Sequence, residues 1–271
     1  MKLVSMYQSV FDSSAFTRRT VSKQYYRLIS QFLDRAEFSF MNYGYACLGA
    51  RLHTVALDAC DEPHRLPIHL YHHLASTVNL AGKDVLEVSC GRGGGAAFVK
   101  RYHRPLTLLG VDRTAQAIAY CRRRHRIPGL SFLQCDAEDI LFGDECFDAV
   151  INVEASHLYG NMAAFLSEVK RVLRPGGHLL LADKRTLDQM PLFRQQVASS
   201  GLRLVAEQDI SANVLRSIQI QRTDRERTLR AMLPPLLSWL AISVFGAGGS
   251  HLADGLEQGH TVYFSLHLSK D

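Results

Sequence analysis

Val85-Leu86-Glu87-Val88-Ser89-Cys90-Gly91-Arg92-Gly93-Gly94-Gly95 is the stretch on which the fold turns. An apolar, partly β-branched run enters a glycine-rich turn, and a helical pattern, Gly95–His103, follows. Gly91, Gly93 and Gly95 omit Cβ atoms where a backbone must turn sharply and approach a ligand. The helix beyond offers unpaired N–H groups and a positive dipole end. Downstream the alternation repeats: LTLLGVD, then Arg113–His125, LSFLQCD, FDAVINV, Met162–Leu173 and HLLLAD. Five apolar runs separated mostly by helix-length segments predict βα units in an α/β fold with a doubly wound, Rossmann-like, mostly parallel sheet. Leu202–Val205 and Thr261–Leu268 complete it, the second long and alternating as an antiparallel partner alternates.

Upstream, residues 18–40 carry apolar positions at helical spacing, and a second helix is expected from His64 to Val78, after the turn signal Asp61-Glu62-Pro63. Residues 1–80 therefore read as an N-terminal helical cap and residues 81–271 as the core. A helical insertion interrupts that core at about 210–259.

A chain of 271 residues with a net charge of +5 suits one substantial core with an appended cap. Its six cysteines lack CxxC pairs and histidines at metal spacing, which argues against a metal site and a disulfide framework. Cys90 and Cys135 fall in or beside strands, as small buried thiols do. A reducing compartment, the cytoplasm, follows as the expectation. Met1–Thr20 lacks a signal-peptide layout. The most apolar window, Met232–Phe245, is too short for a bilayer and holds Pro234 and Pro235.

The pattern Glu87-x-x-x-Gly91-x-Gly93-x-Gly95 differs from the dinucleotide fingerprint Gly-x-Gly-x-x-Gly, which leaves room for a pyrophosphate. A carboxylate beside the turn repels pyrophosphate but suits the ammonium of a methionine moiety. The spacing therefore favours S-adenosyl-L-methionine (SAM) over NAD. Asp112 ends the next strand, where a carboxylate takes both hydroxyls of a ribose or caps the helix beginning near Arg113. Asp136, after LSFL, is placed to accept from an adenine amine while the Ala137 N–H meets a ring nitrogen; here too a turn role stays open.

On VLEVSCGRGGG, LLGVD, QCDAED, FDAVINVEASH and RVLRPGGHLLLAD, in this order and spacing, the chain resembles the class I SAM-dependent methyltransferases. Asp61-Glu62-Pro63 leading to Ile68-His69-Leu70-Tyr71-His72, and CRRRHRIPG over Cys121–Gly129, narrow the resemblance. They look like the phthiotriolone/phenolphthiotriolone dimycocerosate methyltransferase group; Phe245–Ser250, Tyr263 and Lys270 look similar to that group and to natural-product small-molecule methyltransferases. The resemblance implies a seven-stranded sheet with an antiparallel last strand. It places Glu87, Gly91 and Gly93 at the methionine part of SAM, Asp112 at the ribose, Arg113 near ribose or adenine, and Asp136 with Ala137 at adenine. Base-nitrogen methyltransferases of this class often carry Asn/Asp-Pro-Pro-Tyr/Phe after strand four. This chain has Asn152-Val153-Glu154-Ala155, which lowers the nucleic-acid reading; Asn152 is counted among the candidate cofactor residues. The basic run Arg122–Arg126 lacks interleaved aromatics and reads as a solvated helix face.

Ligands of doubly wound sheets bind beyond the carboxyl ends of the strands. Glu154 and His157 follow strand four there and are the candidate catalytic residues. His157 is the expected base, with an unperturbed pKa of ~6.5, and Glu154 orients it, binds the acceptor or caps a helix. Tyr26 and Tyr43, from the clusters Tyr25-Tyr26 and Phe40–Tyr45, are candidates to fold over the sulfonium, with plain packing as the other reading. Met232–Phe245, with Trp239 near its centre, reads as a lid over an apolar acceptor or as packing against the sheet or a subunit partner in a homo-oligomer. The expected function is methyl transfer to a hydroxyl of a lipid, polyketide or other secondary metabolite. C-methylation of an isoprenoid, with or without cyclisation, and a SAM-binding protein that does not methylate are the alternatives.

Overall fold

The computed structural model describes residues 39–49, 55–232, 238 and 251–271. Tyr26, most of the helix expected over residues 18–40, and the lid segment with Trp239 lie outside the described residues. The glycine turn sits where the sequence puts it, between β1 (Asp84–Val88) and α2 (Gly94–Tyr102). The other elements are α1 (Arg65–Ala75), β2 (Thr107–Asp112), α3 (Ala115–Arg124), β3 (Leu130–Gln134), β4 (Phe147–Val153), α4 (Met162–Val172), β5 (Leu173–Thr186), α5 (Met190–Ala198), β6 (Arg203–Asp209), α6 (Ser211–Met232), α7 (His251–Glu257) and β7 (Thr261–Ser269).

Seven strands form one sheet in the order β3-β2-β1-β4-β5-β7-β6. β1 to β5 are parallel, and β7 runs antiparallel to both β5 and β6. β1 pairs with β2 on one side and β4 on the other, so the strand order reverses beside it and opens a crevice at the strands' carboxyl ends. β6 extends to Asp209, beyond Val205. Its register with β7 continues to Phe264, and exposure of every β6 residue hides the polar half of this edge strand from a hydrophobic pattern.

Alternate residues of the central strands feed two cores. Val85, Ala149, Ile151, Val153, Leu180 and Ala182 pack with α1, α2, α3, α6 and α7. Leu86, Val88, Val150, Leu179 and Leu181 pack with α4 and α5. Burial on both faces is why these strands are continuous apolar runs, each large side chain contributing ~1.5–3 kcal/mol. Two glycines have steric duties. Gly93 caps α2 at φ +74°, a left-handed conformation that side chains disfavour. At Gly95 a Cβ would lie 1.9 Å from the Tyr71 ring, so this helix approaches α1 only without one.

Candidate active site

The turn after β1 is bound to the tip of β2 by Asp112. Its carboxylate accepts from the Gly91 N–H at 3.1 Å and from the Thr114 N–H at 2.8 Å. Burial raises its pKa, opposed by those same hydrogen bonds. A turn role is thus realised at the strand tip where a ribose acceptor is expected. Asp136 is partly buried beyond β3 and accepts from the Glu138 N–H at 3.2 Å, with Ala137 buried beside it. Arg113 stands next to Asp112, partly buried, its carbonyl accepting from Gln134 Nε2.

Asn152, fully buried near the end of β4, donates through Nδ2 to Val88 O at 2.9 Å and to Tyr159 Oη at 2.7 Å. Its Oδ1 is buried without a hydrogen-bond partner. Tyr159 also meets Ser89 Oγ at 2.8 Å, which braces Ser89 at φ +60°. Left-handed backbone at a non-glycine residue costs on the order of 1–3 kcal/mol and persists where surrounding contacts over-determine it. Glu87 is turned toward α1. Its Oε1 accepts from Tyr71 Oη at 2.7 Å, Oε2 is buried without a partner, and burial pushes the carboxyl up to about 8.

Glu154 follows β4 at φ +52°. Its N–H donates to Ala182 O, while Oε1 accepts from the Tyr43 N–H at 2.7 Å and Tyr263 Oη at 2.6 Å. Tyr43 is in turn held through its carbonyl by Ser217 Oγ and Gln221 Nε2 of α6. Lys184 Nζ completes the group, 3.3 Å from Tyr43 Oη and 4.6 Å from its ring centroid. Burial pushes Glu154 up to about 7 despite Lys184. Burial also pulls on Lys184, but Tyr43, Glu154 and Asp183 leave its ammonium above the ordinary value.

His157 follows three residues after Glu154, in a 3-10 turn, Ser156–Leu158. Its Nδ1 is 2.7 Å from Asp183 Oδ1, and its N–H donates to Asp183 Oδ2 at 2.9 Å. Ser156 Oγ donates to Asp183 Oδ2 at 2.5 Å, and Arg185 Nη1 stands 3.3 Å from the same oxygen. Burial opposes ionisation of Asp183, yet His157 and Arg185 hold it well below the usual carboxylate range. Burial lowers His157 below its ordinary 6.5, with Asp183 opposing. An imidazole whose pKa lies below 6.5 is neutral at pH 7, and a proton on Nδ1 directed to the carboxylate makes Nε2 the acceptor nitrogen. The side chain is 17 % exposed.

Asp183, Ser156, Arg185, Lys184 and Tyr71 are the participants that sequence reasoning left unassigned. One signal was present for Asp183: HLLLAD ends in an acid at the carboxyl end of an apolar strand, as LTLLGVD does with Asp112.

The cofactor side fits SAM in its chemistry. Carboxylate acceptors stand at the tips of β2 and β3, a buried amide oxygen without a partner at β4, and a Cβ at Gly91 would meet only Met41 Sδ, 3.6 Å away. The methyltransferase-domain pattern matches residues 86–181, which run from β1 to β5. A geranyl diphosphate methyltransferase solved with SAM superposes with a TM-score of 0.64, at 17% identity over 86% of this chain and 99% of that one. Fold and domain together define a SAM-dependent methyltransferase. Over 258 residues the chain is 39% identical to the phthiotriol/phenolphthiotriol dimycocerosates methyltransferase of Mycobacterium tuberculosis, covering 95% of each. It is also 40% identical over 222 residues to a fatty-acid O-methyltransferase of Mycolicibacterium smegmatis, covering 80% of this chain and 79% of that one. The chain belongs to the family of the phthiotriol/phenolphthiotriol dimycocerosates methyltransferases.

Proposed function

We propose that this enzyme methylates a hydroxyl oxygen of a lipid-like secondary metabolite, with His157 as general base and Asp183 positioning it. The observation that carries the reading is the 2.7 Å contact between His157 Nδ1 and an Asp183 carboxylate held ionised. It fixes the tautomer with Nε2 as the proton acceptor. When bound, SAM supplies the electrophilic methyl group. The chain's own residues align the acceptor and remove its proton. Alignment is worth up to ~7–11 kcal/mol, and a placed base typically about 10²–10⁴-fold.

The dyad favours an alcohol over a carboxylic acid as acceptor. A carboxylic acid is already ionised near pH 7 and needs no base, whereas an alcohol must lose its proton during transfer. Relatives named for phthiotriol and for fatty acids frame this choice. Glu154 is committed through Oε1 to Tyr43 and Tyr263, which supports a structural and acceptor-shaping role over proton removal from carbon. Glu87, Gly91, Gly93, Asp112, Arg113, Asp136, Ala137 and Asn152 hold the cofactor in this reading. Tyr43 closes the site beside Glu154 and Lys184. Six thiols without a disulfide favour a cytoplasmic setting.

The test offers SAM with a long-chain secondary alcohol or with a fatty acid of equal length. A product heavier by one methylene, with an O-methyl resonance in its NMR spectrum, is expected from the alcohol. A C-methyl resonance, or turnover of the acid alone, would discard the reading.

A further inference from the structure

Arg185 is 8 % exposed, and its guanidinium is directed inward, although a side chain near the end of a strand could have reached solvent. Nη1 lies 3.3 Å from Asp183 Oδ2, and Nη2 donates to Ser156 Oγ at 2.9 Å. Ser156 passes its own proton to the same Asp183 oxygen at 2.5 Å. One arm of the fork thus reaches the carboxylate directly and the other through a hydroxyl. Phe193 of α5 lies under the guanidinium, 4.8 Å from its carbon, and Nη1 also donates to Lys184 O at 2.7 Å. Asp183 Oδ1 accepts from both His157 Nδ1 and the Lys184 N–H. The carboxylate is therefore shared between an imidazole on one oxygen and a fixed cation on the other.

Such sharing has a direction. An ionised carboxylate alone against an imidazole favours the imidazolium, which is useless as a base. A permanent cation on the far oxygen offsets that charge while leaving the hydrogen bond that orients the ring. We infer that Arg185 is a positioning residue which, through Asp183 and Ser156, keeps the His157 imidazole unprotonated and correctly oriented at neutral pH. This rests on the reading of His157 as the base. The other charged or titratable groups around the network are Lys184 of β5, Glu154 and Tyr159 of His157's own segment, and Tyr263 of β7. Helix α5 contributes only the apolar Phe193 here. Lys184 repels a proton on His157 more strongly than Arg185 does, but it stands with Tyr43 and Glu154 and donates only its backbone N–H to Asp183, so it does not share the carboxylate through its side chain.

The experiment follows the His157 ring by NMR in protein with labelled histidine, using His157→Ala to assign the signal. Turnover is recorded against pH in parallel. In Arg185→Gln the titration midpoint of His157 is expected to rise by about one unit. The acid limb of turnover rises with it, so that loss at neutral pH is reversed at higher pH. Arg185→Lys, which keeps the charge, returns both toward wild type. An unmoved midpoint in Arg185→Gln overturns the inference. So does a turnover loss equal at every pH. Should Arg185→Gln fail to fold, Ser156→Ala cuts one arm alone and must give a smaller rise of the same sign; no rise overturns the inference. Full activity of His157→Ala would instead overturn the base reading, while the ring titration still reports on Arg185.

Discussion

Glu154 and Asp183 are carboxylates at the ends of adjacent strands, both enclosed, yet they are driven in opposite directions. Asp183 is ringed by an imidazole, a guanidinium, a hydroxyl and two backbone N–H groups, and is held well below the carboxylate range. Glu154 receives a phenol and one backbone N–H on a single oxygen, with an ammonium nearby, and is pushed up to about 7. Burial penalises both. The number of donors and the fixed cation decide the sign. Divergent environments of this kind separate roles between like groups. In the proposed reading the proton chemistry belongs to the face toward α4 and α5, and Tyr43 is fastened on the face toward α1 and α6.

That division breaks or sharpens most sharply at the dyad. His157→Ala and Asp183→Asn are each expected to lower turnover on an alcohol acceptor by about 10²-fold or more, with SAM affinity nearly unchanged by calorimetry. Because burial and neighbouring cations set His157 below 6.5, its base form persists down through neutral pH. Wild-type turnover should stay flat above pH 7 and fall only as pH drops below about 6.5. A limb centred above pH 7 would assign the base elsewhere.

Asp112→Ala comes next. Removing the acceptor at the β2 tip, which also releases the Gly91 and Thr114 N–H groups, should weaken SAM binding by about 2–4 kcal/mol. Calorimetry on folded variant decides, and an unchanged affinity removes Asp112 from the ribose.

A smaller effect is expected from Glu154→Gln. If this carboxylate holds the cap, the substitution raises the acceptor KM by a factor of about 3–10 while kcat changes less, from losing a charged acceptor worth ~1.5–3 kcal/mol in part. A fall in kcat as deep as that of His157→Ala would erase the contrast between the two faces.

The mildest test concerns stability. Glu87 keeps its proton in the folded chain up to about 8, whereas its ordinary value is 4.5. The unfolded chain loses that proton first, so stability falls as pH rises from about 4.5 to about 8. Glu87→Gln has no proton to lose. Its melting temperature relative to wild type should climb across that window, by about 2–4 °C for each kcal/mol relieved. A difference independent of pH would show Glu87 to be ionised in place.

The parallel half of the fold was legible because each signal is local. VLEVSCGRGGG holds a strand, a turn and a helix start within one run, and Asp112 and Asp136 lie directly beyond the apolar strands that present them. His157 and Glu154 could be placed by the same rule. Their partners could not. Asp183 meets His157 across 26 residues, and Glu154 meets Tyr43 across 111 and Tyr263 across 109. Those pairings exist only once β4, β5 and β7 lie side by side and the segment around Tyr43 packs on them, a register that periodicity within a strand does not contain. Glu87 adds a contact of the same long-range kind: strand alternation aims residue 87 at the face of Val85, where Tyr71 donates to it.

The final strand lies between its two neighbours instead of at the rim of the sheet, and this orders events as the chain leaves the ribosome. β5 and β6 are synthesised well before β7, and neither can satisfy the other's open edge, because a gap one strand wide must stay between them. Two strand edges, including the apolar Leu179–Ala182, therefore wait unpaired through the synthesis of α6 and α7. Such edges are sites for wrong pairing between chains. The strand that closes them also carries Tyr263, so the hydroxyl that fastens Glu154 arrives with the last insertion into the sheet. Closure of the sheet and fastening of Glu154 become a single late event.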